Sequence, residues 1–141
     1  MNDNEMLNFI YKNAQMGVVG IDAVEDFSRS SQMIKELKAQ KQEYNKIADA
    51  AKNMIRRKNG KLKEIPEAEE KMIGVMSRMK LIINSTDSKI AQMMIQGSAM
   101  GISKIIEHKD DYDGISRSVV SLANKLKKTE EYNIDNMKAF L

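Results

Sequence analysis

The sequence predicts an all-α protein built as a four-helix bundle, and three observations carry the prediction. Apolar residues recur at steps of three and four through most of the chain, the spacing of a buried helical stripe. The 141 residues include only 1 Pro, no Cys and 12 Met, and aromatics make up 5%. The core must therefore be built from Ile, Leu, Val, Ala and Met, a mix that favours helices over sheets. Finally, Gln15-Met16-Gly17-Val18-Val19-Gly20-Ile21 returns without a gap as Gln96-Gly97-Ser98-Ala99-Met100-Gly101-Ile102. Each copy is followed by Glu-Tyr-Asn, at Glu43-Tyr44-Asn45 and Glu131-Tyr132-Asn133. Two copies of one helical hairpin make a four-helix bundle.

The first helix is expected over 4–27, where Leu7, Ile10, Ala14, Gly17, Ile21 and Val24 form one stripe. Ser28-Arg29-Ser30-Ser31 then interrupts it, and Ser30 or Ser31 is suited to cap the next helix. That second helix, over 31–58, carries Met33, Leu37, Tyr44, Ile47, Ala51 and Met54 inward and stops at Asn59-Gly60, a left-handed terminator. A crossover helix is expected over 66–83. Pro66 fits its first turn, Glu67, Glu69 and Glu70 meet the positive end of its dipole, and Met72, Met76, Met79 and Ile83 follow at helical steps.

Asn84-Ser85-Thr86-Asp87 reads as a break with a new cap, since one helix from Pro66 to Glu107 would run over about 60 Å, too long for a compact domain of this size. The third bundle helix is expected over 86–107, a polar connection over 108–114, and the fourth helix over 115–139. Val119, Ala123, Leu126, Met137 and Phe140 share the stripe of this last helix with Glu130 and Asn133. Two polar residues on a buried stripe are either satisfied inside the bundle or placed where it opens to water.

The whole chain reads as a single domain. The net charge of +3 comes from 23 basic and 20 acidic residues mixed along the chain, too small an excess to imply a polyanionic partner. No apolar run approaches the roughly 20 residues of a membrane span, no secretory leader is visible, and the absence of Cys fits a reducing compartment. A cytoplasmic protein with no membrane partner is the expectation.

Glycine in a helix interior costs about 0.8–1 kcal/mol relative to Ala. Gly17, Gly20, Gly97 and Gly101 therefore need compensation, and close approach of the first and third helices supplies it. The alternative is a gap that admits a ligand or a partner helix.

The segments Ile10-Tyr11-Lys12-Asn13-Ala14 with Met16-Gly17, and Ile95-Gln96-Gly97-Ser98 with Met100-Gly101, give the chain its family resemblance. It resembles the ferritin-like four-helix bundles, two hairpins joined by a long crossover, and is most similar to small proteins of anaerobic Gram-positive bacteria, some of them spore-coat-like. Ferritin-like enzymes hold two metal ions with a Glu from each of two helices and Glu-x-x-His from each of the others. This chain has no Glu-x-x-His, and its lone histidine, His108, follows Ile105 at that spacing.

Placed on the former ligand positions, the resemblance implies Gln15, Gln42, Asn45, Gln96, Glu130 and Asn133, amides where a metalloenzyme carries acids. Two divalent ions bring about four positive charges, and one carboxylate among amides does not offset their lost hydration. The expectation is a vestigial polar core with no metal and no cofactor, in a non-catalytic binding or structural module. Its partner is expected to be a second copy or another protein, meeting it through helix faces, and a spore-associated role is implied by resemblance alone.

The rival is a metal-dependent oxidoreductase or metal store using Glu130, Glu43, Glu131, Tyr44 and Tyr132. A further alternative is nucleic-acid binding through Arg56-Arg57-Lys58 with Lys52, Lys61 and Lys63, a cluster also expected at a helix C-terminus without any partner. No aromatics interleave with it for base stacking. The methionines Met72, Met76, Met79, Met93, Met94 and Met100 fit either core filling or an adaptable contact face.

Overall fold

The computed structural model describes residues 1–63 and 86–141. The crossover helix expected over 66–83, with its acidic cluster and its methionines Met72, Met76 and Met79, lies outside the described residues. Every regular element among the described residues is helical. These are α1 (Asp3–Glu25), α2 (Ser31–Arg57), α3 (Asp87–Glu107), a 3-10 segment (Lys109–Gly114), α4 (Arg117–Met137) and a closing 3-10 turn (Lys138–Phe140). No helix among them is long and apolar enough to cross a membrane.

The helix ends follow from local chemistry. Asn2 caps α1 by accepting from the Glu5 amide at 2.8 Å, so the helix starts one residue earlier than expected. Ser30 caps α2 through the Met33 amide at 3.1 Å, and Thr86 caps α3 through the Lys89 amide at 3.4 Å. At the end of α2, Gly60 N–H donates to the Ile55 carbonyl at 2.9 Å and Asn59 N–H to that of Arg56 at 3.1 Å. This is a Schellman stop. Asn59 supplies its left-handed residue, at φ 54°, while Gly60 has no positive φ. Gly60 serves another need: a Cβ there would run into the Asn4 carboxamide. α4 is shorter than the 115–139 expected because Ser116 stands at its N-cap and the last turn tightens to 3-10.

Polar pins at the two ends of the bundle define its connectivity. At one end, Asp87 of α3 accepts from the Arg29 and Ser30 amides of the α1–α2 turn at 2.8 and 2.9 Å. Burial works to raise the Asp87 pKa, but those two amides hold the carboxyl below its ordinary value. At the other end, Asn8 of α1 clasps the chain leaving α2, donating to the Lys61 carbonyl at 2.8 Å and accepting from the Lys63 amide at 2.7 Å. Asp3 accepts from both the amide and the hydroxyl of Ser116 before α4, and pairs with Lys58 at 3.1 Å. Those contacts, the Ser116 hydroxyl first, lower the Asp3 pKa.

The chain therefore leaves α2 at the Asn8 end and enters α3 at the Arg29 end. α2 and α3 are parallel, and each hairpin is antiparallel. α1 packs on α2 and α3 on α4; between hairpins α2 meets α4, and α1 meets both α3 and α4.

The core holds the predicted stripe of α1 as Leu7, Ile10, Ala14, Ile21 and Val24, joined by Met6. From α2 it takes Met33, Leu37, Tyr44, Ile47, Ala48, Ala51 and Ile55, the last in the place expected for Met54, which is half-buried. Ile90, Ala91 and Ile105 come from α3, and Val119, Leu122, Ala123, Leu126 and Met137 from α4. Phe140 packs against this core from its edge.

Candidate functional site

Halfway along the bundle the apolar core is interrupted by polar groups from three helices, with room made for them by two glycines. Tyr44 of α2 is 2% exposed, and its hydroxyl donates to Glu130 Oε2 of α4 at 2.8 Å. Glu130 is 4% exposed; Asn133, one turn further along α4, and Ser98 of α3 are equally buried. Gly17 of α1 lies flat against the Tyr44 ring, where a Cβ would come within 2.7 Å of three ring carbons. A Cβ on Gly101 of α3 would stand 3.2 Å from the Glu130 carboxyl. These two glycines exist to let the ring and the carboxyl lie against helix backbone, which offsets their helix-propensity cost.

The electrostatics follow from burial. Loss of water raises the Glu130 pKa to about 7, against the opposing pull of hydrogen bonding from Ser98 and Tyr44. Burial first, and then the adjacent Glu130 charge, push the Tyr44 phenol well above its ordinary value, so it stays a proton donor. Asn133 contributes an amide close to the Tyr44 hydroxyl, while its Nδ2 has no acceptor of good geometry. The cluster thus holds one carboxyl, poised near neutrality, among a phenol, a hydroxyl and an amide. It can hold or release one proton, and it ties the two hairpins together.

Of the six residues placed on the former ligand positions, the structure brings together two, Glu130 and Asn133. Gln42, Asn45 and Gln96 are exposed, and Gln15 is half-buried. The reason is rotational. Tyr44 points inward and Asn45 outward on α2, whereas on α4 the matching Tyr132 is 65% exposed and Asn133 is buried. The four glycines divide as well: Gly17 and Gly101 each make a close approach, but to side chains of α2 and α4 and not, as expected, between α1 and α3. Gly20 and Gly97 have nothing within 4 Å of a Cβ, so close helix crossing does not account for them.

The carboxylates of the rival reading are dispersed. Glu43 pairs with Lys46 at 3.0 Å and Glu131 with Lys127 at 3.7 Å. No three His, Asp or Glu side chains come together to hold a metal ion among the described residues. His108 caps α3, approaches Asp111 at 3.1 Å and packs edge-on against Phe9. In the basic cluster at the end of α2, Lys58 is engaged by Asp3, while Arg56 and Arg57 are exposed.

Ser98 is the member of the cluster that sequence reasoning treated only as a small residue among the α3 glycines. The available signal was its alignment with Gly17 in the repeat: both positions face the polar layer. Against known proteins, the chain matches no family model, no curated protein and no solved structure.

Proposed function

We propose that this chain is a non-catalytic, ferritin-like helical module that serves as a structural or binding unit and self-associates through helix faces. The cytoplasmic, spore-associated setting implied by the resemblance belongs to the same proposal. The observation that carries it is the composition of the central cluster. Glu130 is its only carboxyl, and its neighbours Tyr44, Ser98 and Asn133 are neutral. Two divalent ions need several anionic or imidazole ligands to offset their lost hydration, and this set does not provide them.

Two further features support the reading. α2 ends at one end of the bundle and α3 begins at the other, the placement of end points that a ferritin-like crossover joins. Between Lys89 and Lys104 the outer face of α3 exposes Gln92, Gln96, Gly97, Ala99 and Met100, an uncharged patch of about three turns, with Ile106 exposed beyond it. Helix faces of that kind pack against a partner at low desolvation cost.

The test is sedimentation velocity over a concentration series, combined with elemental analysis after incubation with ferrous and manganous salts. The proposal expects concentration-dependent association, weakened by Met100→Lys, and no tightly held metal. Stoichiometric metal that survives dialysis would restore the oxidoreductase or metal-storage reading. A strictly monomeric chain would remove the self-association.

A further inference from the structure

A second feature lies away from the central cluster, on the outer side of α4. The 3-10 segment Lys109–Gly114 and α4 together wall a groove of about 710 Å³, open on one side. Ligand sites commonly measure about 300–1,000 Å³. Arg117, Lys125 and Lys128 line it, with Asp113 as the one acid, and Tyr112 and Val120 give it an apolar wall.

The three cations share one face of α4, because steps of eight and three residues return to the same side of a helix. None of them makes an ion pair or a side-chain hydrogen bond among the described residues. Their neighbour Lys127, one residue off that face, is paired with Glu131 at 3.7 Å. Lys41, Lys46, Lys58 and Lys138 are likewise matched to carboxylates. The groove gathers three cations against one carboxylate within a single concavity. Like charges gathered on one face repel each other, and an anion seated among them removes that cost. The distance from Arg117 to Lys128 along the helix is about 16 Å, so the fitting anion is extended rather than compact. The Tyr112 ring beside the cations favours a planar group at one end.

We propose that this groove binds a nucleoside polyphosphate, its phosphates on Lys125 and Lys128, Arg117 toward the nucleoside and the base against Tyr112. The site is independent of the central cluster and of any self-association. Titration calorimetry of the full chain with ATP, and separately with inorganic tripolyphosphate, tests it. The expected result is one saturable ATP site, weakened at least about tenfold by the double change Lys125→Gln with Lys128→Gln and unchanged by Lys127→Gln. Tyr112→Ala is expected to weaken ATP and leave tripolyphosphate untouched. Lys125 and Lys128 are exposed and Tyr112 is half-buried against the edge of the core, so a retained cooperative circular-dichroism melt confirms that each variant folds. No saturable binding, equal loss on Lys127→Gln, or tighter and length-dependent binding of a single-stranded oligonucleotide would each overturn the proposal.

Discussion

The two hairpins carry nearly the same words and fold them differently. In α2 the tripeptide Glu43-Tyr44-Asn45 turns its tyrosine into the core; in α4 the identical Glu131-Tyr132-Asn133 turns its asparagine in and its tyrosine out. The inward residues of α4 sit one position later relative to the repeat than those of α2, a rotation of about 100°. That single-residue shift brings Glu130 to the core where its counterpart Gln42 faces solvent. Sequence repetition thus establishes that two helices share a pattern, while helix rotation decides which of the repeated side chains meet. Here the rotation converts a would-be symmetric site into an asymmetric bond, a phenol from one hairpin donating to a carboxyl from the other.

The largest expected effect separates the two tyrosines. Tyr44→Ala removes a buried ring and leaves Glu130 without its donor, for a loss of about 3–5 kcal/mol in denaturant unfolding. Tyr132→Ala, at an exposed position, is expected to change stability by no more than about 0.5 kcal/mol. Equal losses would mean that the two tripeptides are equivalent after all.

Next comes the pH dependence that Glu130 introduces. Its folded pKa, near 7, lies above its ordinary 4.5, so the folded state holds a proton that the unfolded state releases. Stability from this group therefore falls as pH rises from about 4.5 to 7, by on the order of 3 kcal/mol, and levels off above. Glu130→Gln keeps an oxygen to accept from Tyr44 and carries no charge. Its thermal melts are expected to lose that slope and to gain on the parent as the pH rises. Asp3 and Asp87, with lowered values, act in the opposite sense, and their contribution is lost only as pH falls through their folded pKa, below about 3.8.

A smaller effect divides the glycines of the first repeat. Gly17→Ala drives a methyl into the Tyr44 ring, an overpacking cost of about 1–3 kcal/mol that exceeds the gain of about 1 kcal/mol in helix propensity. Gly20→Ala meets open space and is expected to stabilise by about 0.8–1 kcal/mol. Chemical denaturation of the pair reads both signs, and two changes of the same sign would contradict the packing described.

The bundle was legible because helix signals are local. The α1 and α2 stripes, the Ser30 cap and the break before Asp87 can all be read from spacing and side-chain chemistry within a few residues. The burial of Glu130 and Asn133 was also readable, since both fall at steps of four and three among apolar neighbours on α4. What could not be read is which residue of another helix lies opposite. Gln42 and Gln96 looked equivalent to Glu130 and Gln15 by alignment, but a helix rotation is fixed by packing of whole faces and leaves no mark at the repeated positions. The groove beside α4 was hidden for a related reason: Arg117, Lys125 and Lys128 are scattered in sequence and become one feature only when the 3-10 segment is set beside them.

A buried carboxyl, held by the phenol of the opposite hairpin, lies where the helices meet. An NMR titration following the side-chain carboxyl carbon of Glu130 in the intact protein tests it most directly. The structure predicts a midpoint of about 7, in step with a perturbation of the Tyr44 ring signals. A midpoint in the ordinary carboxylate range near 4.5, with no response at Tyr44, would contradict the buried pair and the asymmetric joining of the hairpins that rests on it.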